Sequence, residues 1–138
     1  MKKNKNTNIL ISMIAIVSLV AFISNGPASA QQQGTKRTNL QKRDLSIPGR
    51  EVVQVRVDIA PGVVFPKHNH PGEEIIYVIE GLIEYKVEGK PTVTLKACDV
   101  LFVPNGTPHS AKNVGTVNAA ELATYIVEKG KPLVAIIK

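Results

Sequence analysis

Between residues 53 and 127 the chain alternates apolar and polar side chains with a period of two, and glycine or proline interrupts the pattern at short intervals. Val53, Val55, Val57 and Ile59 are set against Gln54, Arg56 and Asp58, which marks a half-buried strand stopping at Pro61-Gly62. Residues 75–79 are apolar on both parities, as suits a strand covered on two faces, and Gly81 turns the chain back. Ile83, Tyr85 and Val87 alternate with Glu84, Lys86 and Glu88 up to the turn at Gly89-Lys90-Pro91, after which Val93 and Leu95 resume the alternation. Residues 100–103, 110–114 and 119–127 complete the set. No segment carries helical periodicity. Short strands at hairpin intervals predict an all-β, antiparallel sandwich or barrel.

The two ends of the chain read differently. Lys2, Lys3 and Lys5 precede an apolar stretch over residues 9–23 broken only by serines, and Ala28-Ser29-Ala30 supplies a small-residue cleavage site. Residues 1–30 are therefore expected to be a signal peptide cut after Ala30, and the protein to be exported, periplasmic or secreted. The apolar run falls short of the roughly 20 residues that span a bilayer, so no stable membrane anchor is expected after cleavage. Residues 31–44 are polar and without apolar period, which predicts a flexible N-terminal arm or one laid on a neighbouring subunit. Residues 45–138 are then a single domain with one core, its tail from residue 129 packed along the outside.

Charge and cysteine narrow the partners. The leader holds three of the seventeen basic residues and none of the eleven acids, so the formal charge falls from +6 to about +3 on cleavage. No dense basic run with interleaved aromatics occurs, and nucleic acid is not expected as a partner. Cys98 is the single cysteine, so the fold must rest on packing rather than on an internal disulfide.

The chemistry is concentrated in the histidines. His68 and His70 flank one residue, Glu74 follows four positions later, and His109 is the third and last histidine of the chain. On a strand, residues two apart share a face, so these side chains can aim at one ion. Three neutral imidazoles and a carboxylate suit a divalent transition metal (Fe, Mn, Ni, Cu or Zn) better than Ca or Mg. Gly62-x5-His68-x-His70-x3-Glu74-x6-Gly81 resembles the first cupin motif, and Pro104-x-Gly106-x2-His109-x3-Asn113 resembles the second. The pattern departs at Cys98, where the second motif opens with glycine. A non-glycine residue at positive φ there would cost about 1 to 2 kcal/mol, eased by Asp99 bonding to the local backbone.

The resemblance implies a cupin jelly-roll barrel over residues 45–128. His68, His70, Glu74 and His109 would be its metal ligands, with two coordination positions left for water, substrate or oxygen. Local charge near +1 favours anionic oxygen donors such as carboxylates, enolates or phenolates. Counted by parity, Ile76, Val78 and Ala111 face inward, with Val55, Phe65, Tyr85, Val93, Phe102 and Tyr125 as further lining. Few inward acids or bases are expected, and Glu73 is read as a rim carboxylate. Small cupin oxygenases supply one reading of function, with isomerases and decarboxylases as other enzymes of the fold. A non-enzymatic module that binds a small ligand or the metal alone is the other. No catalytic residue and no organic cofactor is identified. The second apolar face of Ile75, Tyr77 and Ile79 calls for cover by a second subunit, giving a homodimer, or by the chain's own N-terminal strand.

Overall fold

The structure, a computed structural model, describes residues 33–138; the expected signal peptide over residues 1–30 lies outside them. The described chain forms β1 (Thr35–Asp44), β2 (Arg50–Ile59), β3 (Val64–Asn69), β4 (Gly72–Glu80) and β5 (Leu82–Val87). It continues through β6 (Val93–Lys96), β7 (Val100–Val103), β8 (His109–Asn113), β9 (Ala119–Glu128) and β10 (Ala135–Ile136), with no helix among the described residues. Two five-stranded antiparallel sheets result, ordered β1-β2-β9-β4-β7 and β10-β3-β8-β5-β6. This is the antiparallel sandwich expected of the alternation, in the jelly-roll form that the resemblance implied.

One core lies between the sheets. Val55, Val57 and Ile59 of β2, Ile76 and Val78 of β4, and Ala123, Tyr125 and Val127 of β9 come from one sheet; Ile83, Tyr85 and Val87 of β5 and Ala111 of β8 come from the other. Each set holds a single parity, which is why the alternation in the sequence located the strands. β9 has a particular position: it lies between β2 and β4 and is hydrogen-bonded to both along its length.

The N-terminal segment corrects an expectation. Residues 35–44 are not a flexible arm but a ten-residue strand, paired antiparallel with β2 from Thr35↔Ile59 to Asp44↔Glu51. An edge strand needs no apolar stripe, because one of its backbone edges and most of its side chains face water, and its lysines and arginines discourage further strand pairing. Because β1 extends the sheet edge, it does not cover the outer face of β4. Ile75 and Tyr77 remain 41% exposed, and Phe102, opposite Ile75 on β7, is 51% exposed.

Cys98 adopts φ 74°, the one non-glycine residue in the left-handed region among those described. Its turn is held as expected: Lys96 N donates to Asp99 Oδ2 at 2.9 Å, Asp99 N to Lys96 O at 2.9 Å, and Cys98 N to Val78 O at 2.9 Å. Gly81 has no such latitude, since a Cβ there would lie 2.6 Å from the Cα of Ala119.

Candidate metal centre

Four parts of the chain deliver the four predicted side chains. His68 lies near the end of β3, His70 just past it, Glu74 on β4, and His109 opens β8 directly across from His68. Parity along one strand therefore explains less than the sequence suggested, because His70 and Glu74 are separated by a turn at Pro71. The ladder between β3 and β8 is interrupted between Phe65 and His68, where Pro66 has no N–H to offer. That interruption leaves the Pro66 carbonyl free for another donor.

The three imidazoles are oriented in the same way. Nδ1 of His68 donates to Pro66 O at 2.7 Å, Nδ1 of His70 to Leu133 O at 2.6 Å, and Nδ1 of His109 to Thr107 O at 2.9 Å. A carbonyl can only accept, so each ring carries its proton on Nδ1 and keeps the lone pair of Nε2 for the interior. One ligand atom from each histidine lies within 4.8 Å of the others. Glu74 joins them, with Oε2 3.0 Å from His109 Nε2 and 3.3 Å from His70 Nε2. Yet His70 Nε2 and Glu74 Oε2 are both buried without a satisfactory hydrogen bond. They are close but poorly aligned with each other, as donor atoms are when they converge on a common third point. A His-His-His cluster of this geometry could hold a metal ion, and the donor set fits a divalent transition metal.

Electrostatics supports the same arrangement. Burial, with His109 alongside, pushes the His68 imidazole down to about 3, so it stays neutral and ready to ligate. Burial alone would raise the Glu74 carboxyl, but the neighbouring His109 and His70 hold it below the usual carboxylate range. For His109 burial works downward, and the contact with Glu74 outweighs it and raises the ring's pKa.

These groups open on a narrow cavity of about 20 Å³ lined by His68, Glu74 and His109 at one end, by Tyr125, which pairs across the sheet with Glu74 and holds its ring 4.7 Å from that of His70, and by Arg37 and Glu121, level with Val57 farther along the sheet, at the other. Phe65, Tyr85 and Ala111 also line it, as expected, and Ile76, Val78 and Val55 are buried in the core. Val93 and Phe102 do not line it; both are exposed, Phe102 because its parity on β7 is opposite to that of buried Val103, and Val93 because β6 is the open edge of its sheet. Gln54 bonds outward to Thr124, and Arg56 to Asp58 and Glu80, which fixes the register of β2 as expected.

The expectation of few inward acids or bases was wrong at two positions. Glu121 is buried on β9, and burial, then the charge of Glu74, raises its carboxyl well above the ordinary value. Arg37, on β1, donates from Nη2 to the Tyr125 hydroxyl at 3.3 Å. Glu121 could have been found, since it shares parity with Ala119, Ala123, Tyr125 and Val127. Arg37 sits in a stretch with no apolar reference against which to count.

Other motif residues are structural. Asn113 is fully buried and donates to Ile59 O and Val117 O at 2.8 Å each, while its Oδ1 accepts from Gly115 N at 2.9 Å. Gly106 N donates to His70 O at 3.2 Å, tying the second motif to the first.

Comparisons with known proteins agree with this layout. The chain is 34% identical over 89 residues to germin-like protein subfamily 2 member 1 of Arabidopsis thaliana, covering 59% of this chain and 41% of that protein. It is 39% identical over 51 residues to the dimethylsulfoniopropionate lyase DddQ of Ruegeria pomeroyi, covering 37% of this chain and 25% of the lyase. The chain thus spans less than half the length of the curated relatives it matches. Among solved structures, oxalate oxidase in complex with the substrate analogue glycolate superposes with a TM-score of 0.63 at 24% identity, over 78% of this chain and 57% of that one. The family model for the cupin domain matches residues 55–133, more than half the chain and both histidine motifs. On that match, and on the jelly roll that carries it, this chain belongs to the cupin family.

Proposed function

We propose that the protein is an exported, metal-binding single-domain cupin that acts as a small metal-dependent oxygenase on an anionic or enolisable small molecule. His68, His70 and His109 bind the ion through Nε2 and Glu74 through its carboxylate. The observation that carries this reading is the common tethering of all three Nδ1 atoms to carbonyls, with His70 Nε2 and Glu74 Oε2 left buried and unbonded. Unpaired buried groups of this kind are rare unless something else completes them. A bound redox ion supplies a Lewis acid and a site for oxygen. The chain's own residues fix the donor atoms, exclude water through Phe65, Val57 and Ile59, and limit the ligand by the size of the cavity.

Similar proteins support a small acid as the ligand class, since one binds glycolate as a substrate analogue and another is named as a lyase. The lyase keeps a reaction without oxygen in play, as an isomerase or decarboxylase would. The cavity has room for about one water-sized group, which favours a non-enzymatic metal or small-ligand module as the second reading. The exposed outer face of Ile75, Tyr77 and Phe102 supports a homodimer formed through that face.

The test is elemental analysis of the untagged protein purified without chelators, beside His68→Ala. Near-stoichiometric Fe, Ni, Cu or Mn that falls in the variant, followed by oxygen uptake with enolates, phenols or small carboxylates, supports the oxygenase. Zinc without oxygen uptake moves the assignment to a lyase-like enzyme or a binding module, and absence of metal from both proteins overturns it.

A further inference from the structure

The far end of the cavity is as organised as the metal end. On the inner face of one sheet, Arg37, Val57, Glu121 and Val78 stand opposite one another on β1, β2, β9 and β4. Glu121 is buried and its Oε2 has no hydrogen-bond partner; the Tyr85 hydroxyl, reaching in from the other sheet, has none either. Arg37 is half-buried, close enough to the Tyr125 ring (5.8 Å) and hydroxyl (3.3 Å) to be steered by both. Val57, Ile59 and Ala111 line the same cavity, and Tyr125 joins this polar group to the histidines, its ring 4.7 Å from that of His70. Buried hydrogen-bonding atoms in native proteins are satisfied by protein, water or ligand, and for Glu121 Oε2 and the Tyr85 hydroxyl the protein supplies no hydrogen bond.

We propose that Glu121 and Tyr85, with Arg37 held by Tyr125, form a second binding pole that holds the end of a ligand remote from the metal, and so selects short acids bearing a second oxygen function over those ending in a methyl group. The inference rests on the reading that a small acid binds at the histidine end. A carboxyl and a phenol with nothing else to bond reject a methyl group strongly, because the methyl would leave both unpaired. Arg37 adds a positive charge suited to a carboxylate at that end. A ligand longer than the closed cavity admits enters by displacing Arg37 and Phe65, the half-buried members of the lining.

The test is calorimetric titration of Mn(II)-loaded protein with propionate, 3-hydroxypropionate and malonate. Wild type binds the two oxygen-terminated acids roughly tenfold or more tighter than propionate. Glu121→Leu brings the three to within about twofold of one another while metal stoichiometry is unchanged, and Glu121→Gln retains part of the preference. Arg37→Met, at the half-buried edge, serves if Glu121→Leu does not fold, and weakens malonate most. Equal affinity of the three acids for wild type, no binding of any of them, or a preference that survives both Glu121→Leu and Arg37→Met overturns the assignment and leaves this pole to ordered water. If wild type takes up no metal, it is the metal reading that fails. The same titration on metal-free protein then decides the pole by the same criteria.

Discussion

The two ends of the cavity hold polar groups by opposite means. At the histidine end every imidazole is fixed from behind by a backbone carbonyl, so the inward atoms have one direction available. At the other end Glu121 Oε2 and the Tyr85 hydroxyl have no hydrogen-bond partner, and Arg37 is restrained through the ring and hydroxyl of Tyr125. The first arrangement suits a compact guest with fixed coordination directions, such as a cation. The second suits a guest whose hydrogen-bonding atoms vary. Rigid backing thus marks where geometry matters, and uncommitted side chains mark where recognition does.

The harshest way to break this contrast is to remove a donor from the rigid end. His68→Ala should lower metal affinity by about 100-fold or more while the far-ultraviolet circular dichroism stays that of a β-protein, because apolar burial holds the barrel. Stoichiometric metal after dialysis of the variant would show that the cluster is not the binding site.

Removing the backing rather than the donor should cost less. The carbonyl that holds His70 belongs to Leu133, in the tail whose β10 pairs with β3 at Asn69 and His68. Truncation before Leu133 frees the His70 ring to rotate, and metal affinity, read by competition with a chelator, should drop about 10- to 100-fold. Unchanged affinity would mean that the tail is mere packing on the outside, as the sequence suggested.

At the uncommitted end the expected effect is on stability and has a definite pH direction. The folded-state pKa of Glu121 is raised well above the ordinary carboxyl value of 4.5 by burial and by Glu74, with Arg37 opposing. Its contribution to stability is therefore complete below about pH 4.5 and is lost as pH rises through the folded value. Glu121→Gln, which cannot titrate, should match wild type at pH 4 and melt a few degrees higher at pH 8 in the metal-free protein. A gap that closes with rising pH would contradict the sign.

A control on the outer surface should have the smallest effect on either pole. Phe102→Asp should leave metal content unchanged and, on the proposal that this face joins two copies, shift the sedimenting species from dimer to monomer; a monomeric wild type would end that proposal, and an unchanged dimer would place the interface elsewhere.

How much of this was legible in the sequence differs between the same two ends. The strands that build the core announce themselves by period, and the histidines by spacing within two recognisable motifs. β1 is silent because its side chains are mostly solvated and polar on both parities, so Arg37 had no frame of reference. Glu121 was visible in principle, since Tyr125 and Ala123 fix its parity, but a lone acid in an apolar alternation is easily assigned to the surface. The carbonyl of Leu133 could not be seen at all, because backbone acceptors leave no trace in side-chain pattern.

The place of β9 has a consequence for how the protein comes into being. A chain synthesised as far as residue 118 holds β2 and β4 but not the strand that belongs between them, so two bare edges in the same sheet wait for residues 119–128. Contacts this distant in sequence are slow to form, and neither end of the cavity exists before they do. The nascent protein therefore has every histidine needed to attract a metal well before it has the architecture to choose one.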